Sequence, residues 1–351
     1  MNQDVVPRKS ALTRWKTVLS FILRVALLAG ALVVLRRELN GVGFSDLARS
    51  LRAYGLRHLA LSFVFTVLSF LTLGLLELLA LSYVGRRAER IVPRRTALAT
   101  AFVAHAYSQS VGLAILTGAA VRIRSYSRFG LDALDVARLS VFVTVTATLG
   151  LLATGALAFF TMPERITVIG FTLSMTPLGV LLLVPIIAYV AWGAFGRSDF
   201  HGSGNWRIRR PSMLLAAQQI GISSLDWALA GTVLFFLLPA SLHSSYSAFL
   251  AVYLVAQTGA VLSHVPGGVG VFEAIVMTLL TVESNTGVGS ASLVAAIGAS
   301  LLLYRVAYYL LPLIGAIVLS GFTELIRARN AVDTTKPGFA APTQSLSVDA
   351  V

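Results

Sequence analysis

The chain carries the same polar set twice inside apolar sequence: an acid, then a glutamine, then a helix-breaking segment. The members, in chain order, are Glu77, Gln109 and Thr117-Gly118, then Asp226, Gln257 and Pro266-Gly267-Gly268. The acid-to-glutamine spacings of the two sets differ by one residue, and so do the glutamine-to-break spacings. A carboxyl group in apolar sequence can exchange protons or face a cation, and helix ends at a break offer free N–H groups to an anion. These residue types predict the handling of a charged substrate.

The repetition itself indicates an architecture. A duplicated membrane unit with an odd number of crossings inserts its two copies upside-down to each other. Such inverted repeats are typical of alternating-access transporters, whose substrate site lies where the copies meet. The pattern therefore predicts that a substrate is moved rather than transformed.

Composition assigns the chain to the membrane. Its 351 residues are 56% hydrophobic and 12% charged, with a mean hydropathy of +0.81, as in polytopic membrane proteins. The net charge of +13 would suggest nucleic acid for a soluble protein. Here the arginines cluster in short loops, which fits the positive-inside rule and contact with anionic lipids. We therefore predict no nucleic-acid partner. Cysteine is absent and the histidines lack ligand spacing, so we predict no metal and no other cofactor.

Hydropathy predicts six full spans, at 17–35, 59–84, 139–160, 172–195, 213–238 and 291–319. The first is expected to be a retained span rather than a signal peptide. Residues 41–58 are predicted to form an amphipathic helix on the membrane surface. The apolar segments 96–116 and 246–280 are interrupted by polar residues and breaks.

Loop charge determines how those two interrupted segments are placed. Basic loops flank 96–116 on both sides, whereas the loops that flank 246–280 have no Lys or Arg. Basic loops are expected in the cytoplasm, and loops without Lys or Arg are expected outside. Both pairs of loops meet this expectation if each segment is re-entrant and returns to the face that it left. The predicted fold is an all-α polytopic membrane protein, an inverted repeat of two halves with six full spans and two re-entrant helical hairpins. Eight plain spans are the alternative. In the predicted topology the basic stretch 36–57 lies on the outer face of the membrane, which does not agree with the positive-inside rule.

The predicted organisation has four parts. Residues 1–16 form a cytoplasmic N-terminus, 17–165 the first membrane repeat and 166–326 the second. Residues 327–351, rich in Thr, Pro, Ser and Ala, are predicted to be a disordered cytoplasmic tail.

The breaks are the predicted binding site. A helix that resumes after Pro266 points free N–H groups at the break, and a nearby guanidinium fork matches phosphate oxygens. The candidate substrate-binding residues are Arg122, Arg124, Arg305, Thr117, Gly118, Pro266, Gly267, Gly268, Gly270 and Glu273. The candidate coupling residues are Glu77, Asp226, Gln109 and Gln257. A purely structural pairing of the acids with Arg24 or Arg305 remains open.

Three motifs resemble one known family. The segment from Leu116 to Gly130 is similar to the Thr-Gly-Gly-Ala-Val-Arg segment of the lysylphosphatidylglycerol synthase transmembrane-region family. Pro266-Gly-Gly-Val-Gly-Val-Phe-Glu resembles its second signature, and Tyr304-Arg305 with Pro312 resembles its third. The likeness covers about 17–324. Ala119 stands where the family usually has a second glycine, which predicts a stiffer first break.

The resemblance implies a function. The family includes the flippase half of the bacterial multiple peptide resistance factor, which moves aminoacylated phosphatidylglycerol, and it assigns Arg122, Glu273 and Arg305 to motif positions. It thus implies a flippase for anionic or aminoacylated phospholipids in the bacterial cytoplasmic membrane, with both termini cytoplasmic. The alternatives are a non-enzymatic partner of a separate synthetase and a membrane enzyme acting on a lipid-linked substrate.

Two further points concern enzyme activity and partners. No hydrophilic stretch within the membrane body is long enough to fold a synthetase domain, so a transporter without enzyme activity is expected. A second copy of the chain and a separate synthetase remain open as partners.

Overall fold

A computed structural model describes residues 54–111, 114–161, 165–168, 171–174, 176–196, 198–201, 207–239, 242, 245–263, 265–283 and 291–333. The predicted first span at 17–35 and residues 41–53 of the predicted surface helix lie outside these residues, and residues 56–58 of that helix instead begin the first described helix.

The first half is helical apart from a short strand pair at its end. Its helices are α1 Leu56–Val84, α2 Arg86–Ile91, α3 Arg94–Val111, α4 Ala114–Tyr126 and α5 Ala133–Thr161. A 3₁₀ turn at Ser127–Phe129 ends in left-handed Gly130 (φ 82°), which glycine adopts without strain. Strands β1 (Arg165–Val168) and β2 (Phe171–Ser174) pair antiparallel after α5.

The described part of the second half is also mostly helical. Its elements are α6 Thr176–Phe195, the strands β3 Phe200–His201 and β4 Arg207–Ile208, α7 Met213–Phe235, α8 Tyr246–Leu262, α9 Val271–Glu283, α10 Ala291–Tyr304 and α11 Leu311–Asp333. The Ser212 side chain caps α7 by accepting from Leu215 N at 3.1 Å. A π-helical turn, Arg305–Leu310, joins α10 to α11.

Four described helical segments are long and apolar enough to cross a membrane. They are Leu56–Val84, Ala133–Thr161, Thr176–Phe195 and Ala295–Leu325. Helix α7 has a span's length at 23 residues but is not among the four. Its first half carries polar residues such as Gln218, Gln219 and Ser223. The chain is an all-α, multi-pass membrane protein.

Helices α1 and α7 pack antiparallel at the centre of the bundle. Near the start of α1, the Ser62 hydroxyl donates to Val233 O of α7 at 3.3 Å. At the other end, the Tyr83 hydroxyl donates to Arg209 O, just before α7, at 2.8 Å. We call the end at Tyr83 the basic end, because the arginine-rich loops follow α1 and precede α7 there.

Two helical hairpins are based at opposite ends of this bundle. Hairpin α3–α4 begins and ends at the basic end, where Arg87 lies beside Gly130. Hairpin α8–α9 begins at the other end, where the Tyr246 hydroxyl donates to Ala228 O in the second half of α7 at 2.8 Å. Their tips meet: a Cβ built on Gly267 would lie 3.6 Å from Gln109 O, at the end of α3.

Three predictions about elements are wrong. The segments 165–168 and 171–174 form a strand pair instead of a turn and the start of a span. The loop between α6 and α7 contains the paired strands β3 and β4. Residues 327–333, predicted to belong to a disordered tail, are helical, because α11 continues to Asp333. Residues 334–351 lie outside the described part.

Candidate functional site

The second break is confirmed. Between α8 and α9 the backbone turns through Pro266–Gly268, and three glycines adopt left-handed φ values: Gly267 at 64°, Gly268 at 62° and Gly270 at 80°. Residues with a Cβ resist this conformation, and Pro266 cannot donate a backbone hydrogen bond. This sequence therefore interrupts the helix inside an apolar region.

Arg305 binds this break directly. Its Nη1 donates to Gly267 O at 2.6 Å, and its Nε donates to Glu273 Oε1 at 2.6 Å. The other carboxylate oxygen of Glu273 accepts from Gly270 N at 2.8 Å, at the start of α9. Arg305 and Glu273 are only 7% and 9% exposed. One buried ion pair thus holds the break, α9 and the π-helical turn together.

Not every donor of the Arg305 guanidinium has a hydrogen-bond partner among the described residues. Its Nη2 is buried and has no hydrogen-bond partner among the described residues. The group lies over the Tyr309 ring at 4.5 Å and near Phe272 at 5.5 Å, which are cation–π distances. An arginine presents five N–H donors, so a buried unpaired one is free to bind an anion.

The tip of the first hairpin lies against this break. A Cβ built on Gly267 would also lie 3.7 Å from Ser110 O. In the same helix, Gln109 Oε1 and His105 Nε2 are buried without a partner among the described residues. We call the meeting of Gln109, Gly267, Glu273 and Arg305 the junction. It combines a cationic donor of Arg305 and a side-chain oxygen of Gln109, neither of which has a partner among the described residues.

Glu77 and Arg122 form a second buried pair. Arg122 Nε lies 2.9 and 3.1 Å from the two carboxylate oxygens of Glu77, and Nη2 lies 2.7 Å from Oε2. The Tyr126 hydroxyl donates to Glu77 Oε1 at 2.8 Å. Glu77 is fully buried and Arg122 is 4% exposed. This carboxylate takes Arg122, rather than Arg305, as its partner, and Arg24 lies outside the described residues.

The prediction of a break at Thr117-Gly118 is wrong, because α4 runs through it from Ala114 to Tyr126. A single glycine among alanines costs only about 1 kcal/mol in a helix, too little to break one that is well packed. Gly118 instead allows close approach: a Cβ there would lie 2.9 Å from Arg122 Nη1. Helix α3 is described as far as Val111, and α4 begins at Ala114.

Asp226 lies between α7 and α1. Its Oδ1 accepts from Ser69 Oγ at 2.6 Å and from Thr72 Oγ1 at 3.1 Å. The Ser69 hydroxyl also bonds to that of Tyr308, in the π-helical turn, at 2.9 Å. No described Lys or Arg forms an ion pair with Asp226. Among the described residues, this carboxyl group is thus bonded by hydroxyl groups.

The remaining predicted residues fall in two places. Gln257 Nε2 donates to the Tyr253 hydroxyl at 2.9 Å, and that hydroxyl bonds to the one of Tyr304 at 2.8 Å, so Gln257 belongs to a buried network beside the junction. Arg124 is half exposed and pairs with Glu324 at the basic end, away from the junction.

The sequence did not reveal the buried tyrosines. Tyr253, Tyr304 and Tyr308 are at most 4% exposed, and Tyr304 stacks on Tyr308 with ring centroids 5.4 Å apart. In the sequence, tyrosines with this spacing could equally belong to the aromatic belt at a membrane surface. The polar residues near them, Gln257 and Asp226, are the only local signal that could have indicated burial with hydrogen bonding.

The comparisons with known proteins give the family. The model for the lysylphosphatidylglycerol synthase TM region matches residues 21–316. The chain belongs to this family. Among the relatives, one is named as an inner membrane protein and another as a phosphatidylglycerol lysyltransferase.

Three relatives illustrate the range of identity and coverage. An uncharacterized protein of Synechocystis is 32% identical over 83% of this chain and 87% of its own length. The inner membrane protein YbhN of Escherichia coli is 28% identical over 90% of this chain and 97% of its own length. Phosphatidylglycerol lysyltransferase of Staphylococcus aureus is 23% identical over 91% of this chain but only 36% of its own length. The chain thus spans about a third of that enzyme.

Proposed function

We propose that this protein moves an anionic or aminoacylated phospholipid, or the head group of a lipid-linked compound, between the two leaflets of a bacterial cytoplasmic membrane. It does so without enzyme activity. The observation that carries the proposal is the junction: a break of left-handed glycines against the facing hairpin tip, with a buried arginine whose Nη2 has no described partner.

The site chemistry supports a phosphate ligand. Arg305 is anchored through Nε and Nη1, which leaves Nη2 to donate to a phosphate oxygen. On the facing helix, Gln109 Oε1 can accept from a hydroxyl or ammonium group of the head group. Glu273 positions Arg305, and Gly267 allows the substrate to approach the backbone.

The arrangement of the helices supports alternating access. We infer that both hairpins are re-entrant, because their arms of 18 and 13 residues, and of 17 and 13, are shorter than the ~20 residues of a span. The basic end then faces the cytoplasm by the positive-inside rule. The order helix, hairpin, helix occurs in both halves and points to an inverted repeat whose copies meet at the junction.

Asp226 is the proposed coupling residue. An acid inside a membrane bundle without a cationic partner is typical of proton-transfer sites in transporters. Its hydroxyl chain through Ser69 to Tyr308 leads to the π-helical turn that carries Arg305. A proton taken up by Asp226 would weaken that chain and shift the turn.

The test is lipid transfer in proteoliposomes. Purified protein is reconstituted with fluorescent phosphatidylglycerol, and the rate of leaflet exchange is compared with that of protein-free liposomes. Arg305→Lys keeps the charge facing Glu273 but removes the planar fork, so we expect transfer to slow by about tenfold or more. The matched control is Arg90→Lys, an exposed arginine on α2. Transfer no faster than in empty liposomes would contradict the proposal.

A second candidate, a non-enzymatic partner of a separate synthetase, rests on one observation. The match covers only 36% of the length of a phosphatidylglycerol lysyltransferase, and the larger part of that enzyme lies outside the match. This candidate predicts no transfer by the pure protein and recovery of transfer or lipid modification when a synthetase is added.

A further inference from the structure

A groove at the basic end of the bundle lies apart from the junction. It is a cavity of about 530 Å³ between α5 and α6, within the size range of small-molecule sites. Its walls are apolar and aromatic, and its rim is cationic. The wall residues are Val141, Phe142, Val145, Tyr189 and Trp192, and the rim arginines are Arg138, Arg207 and Arg209. We call it the α5–α6 groove.

The groove changes from charged to apolar along its length. Arg138, Val141 and Val145 recur at helical spacing and therefore lie on one face of α5. At 1.5 Å per residue, the rim and the floor are about 10 Å apart. Trp192 lies nearer the rim on α6, and Tyr189 is one turn deeper. This profile is that of a phospholipid, with its phosphate outside and its acyl chain inside.

The rim has an excess of positive charge. Arg207 pairs with Asp199 at 2.5 Å, and Arg138 pairs with Asp135 at 3.5 Å. Arg209 forms no ion pair with a described acid, and its Nη1 lies 3.4 Å from Tyr83 O. The Tyr83 hydroxyl bonds back to Arg209 O, so the residue is held beside α1. An anion at the rim would meet a positioned, unneutralised guanidinium.

The groove is open to the bilayer on one side. Only 17% of the span in α6 is buried within the protein, against 44% in α1 and 50% in α5. A helix so little covered by protein faces lipid. A ligand can therefore enter sideways from the leaflet at the basic end.

We propose that the α5–α6 groove binds an anionic phospholipid of that leaflet. The phosphodiester contacts Arg209 and Arg138, and one acyl chain passes Trp192 near the rim and lies along Val141 and Val145. This site is separate from the junction, and its occupancy does not depend on whether lipid crosses there.

Trp192 provides a direct readout. The full chain in detergent is titrated with phosphatidylglycerol whose acyl chains carry bromine, which quenches tryptophan at contact distance. We expect saturable quenching in a variant whose only tryptophan is Trp192, with Trp15, Trp206 and Trp227 replaced by Phe. A variant whose only tryptophan is Trp227, in α7 outside the groove, should show little. Each basic contact with an anionic lipid contributes about fivefold in affinity. The double variant Arg138→Gln with Arg209→Gln should therefore raise the apparent Kd by roughly 25-fold. Arg90→Gln, exposed on α2, should leave it unchanged.

Four results would overturn the proposal. The first is quenching that is equally strong when Trp227 is the only tryptophan. The second is an apparent Kd of the double variant equal to that of Arg90→Gln. The third is equal affinity for brominated phosphatidylcholine, which carries no net charge, since it would show that the rim does not select an anionic head group. The fourth is displacement of the lipid by millimolar inorganic phosphate, since it would show that the rim takes a free anion and the acyl chain adds nothing.

Discussion

The molecule contains two buried Glu–Arg pairs that differ in how completely they are satisfied. In the pair of Glu77 and Arg122, both carboxylate oxygens are taken by the guanidinium, and Tyr126 adds a third donor. In the pair of Glu273 and Arg305, one guanidinium nitrogen holds a backbone carbonyl at a break and another has no described partner. A saturated pair fastens helices together, whereas an open pair can still bind a ligand. Burial alone, which both pairs share, does not distinguish the two roles.

The largest effect on stability is expected from Glu77→Ala. It leaves Arg122 buried and unpaired, and breaking a buried pair in this way typically costs about 3–5 kcal/mol. The free energy of unfolding, measured by denaturant titration in mixed micelles, should fall by that amount. Arg90→Ala on the exposed face of α2 is the control and should change it little. An unaltered unfolding curve for Glu77→Ala would mean that the pair is not formed.

Gly267→Ala tests the break. A φ of 64° strains any residue with a Cβ by about 1–2 kcal/mol, and the new methyl would lie 3.6 Å from Gln109 O. We expect both a loss of this size in unfolding free energy and slower lipid transfer. Gly221→Ala, in α7 with open space around its Cβ, is the control that should transfer lipid normally.

Asp226→Asn tests whether proton coupling can be lost while lipid transfer itself is kept. The amide oxygen still accepts from Ser69 and Thr72, so the fold and transfer without a gradient should persist. The acceleration of transfer by an imposed pH gradient should disappear, because an amide does not exchange the proton. A gradient response equal to that of the unmodified protein would rule out Asp226 as the coupling residue.

The smallest effect is expected from Ala119→Gly, which restores the glycine usual in the family. Because α4 is helical through this position, the change should cost about 0.5–1 kcal/mol and leave transfer intact. Faster transfer with no loss of stability would indicate that this segment does break during the cycle.

The sequence predicted the parts of the fold that follow from local chemistry. Apolar runs located α1, α5, α6 and α7, and Pro266 with its glycines located the second break. The prediction of a break at Thr117-Gly118 was wrong. This dipeptide follows Gln109 at nearly the same distance as Pro266 follows Gln257, but it lacks proline and consecutive glycines. One glycine did not outweigh the packing of the surrounding helix.

Pairing could not be predicted, since it depends on tertiary contacts. Glu77 and Arg122 are 45 residues apart in the sequence and Glu273 and Arg305 are 32 apart, and nothing local selects these partners over others. The unpaired state of Arg305 Nη2 follows from the exact position of the π-helical turn, which no sequence pattern indicated. The residues of the site were therefore predictable, but their division into saturated and open pairs was not.

The most direct test replaces each pair by a neutral one and measures phosphatidylglycerol transfer in the same proteoliposome assay. Glu77→Gln with Arg122→Gln and Glu273→Gln with Arg305→Gln remove the same charges and retain hydrogen-bonding groups. The account predicts transfer close to the unmodified rate for the first double variant, provided that it folds, and transfer near the protein-free rate for the second. Equal rates for two folded variants, or loss only in the first, would contradict it.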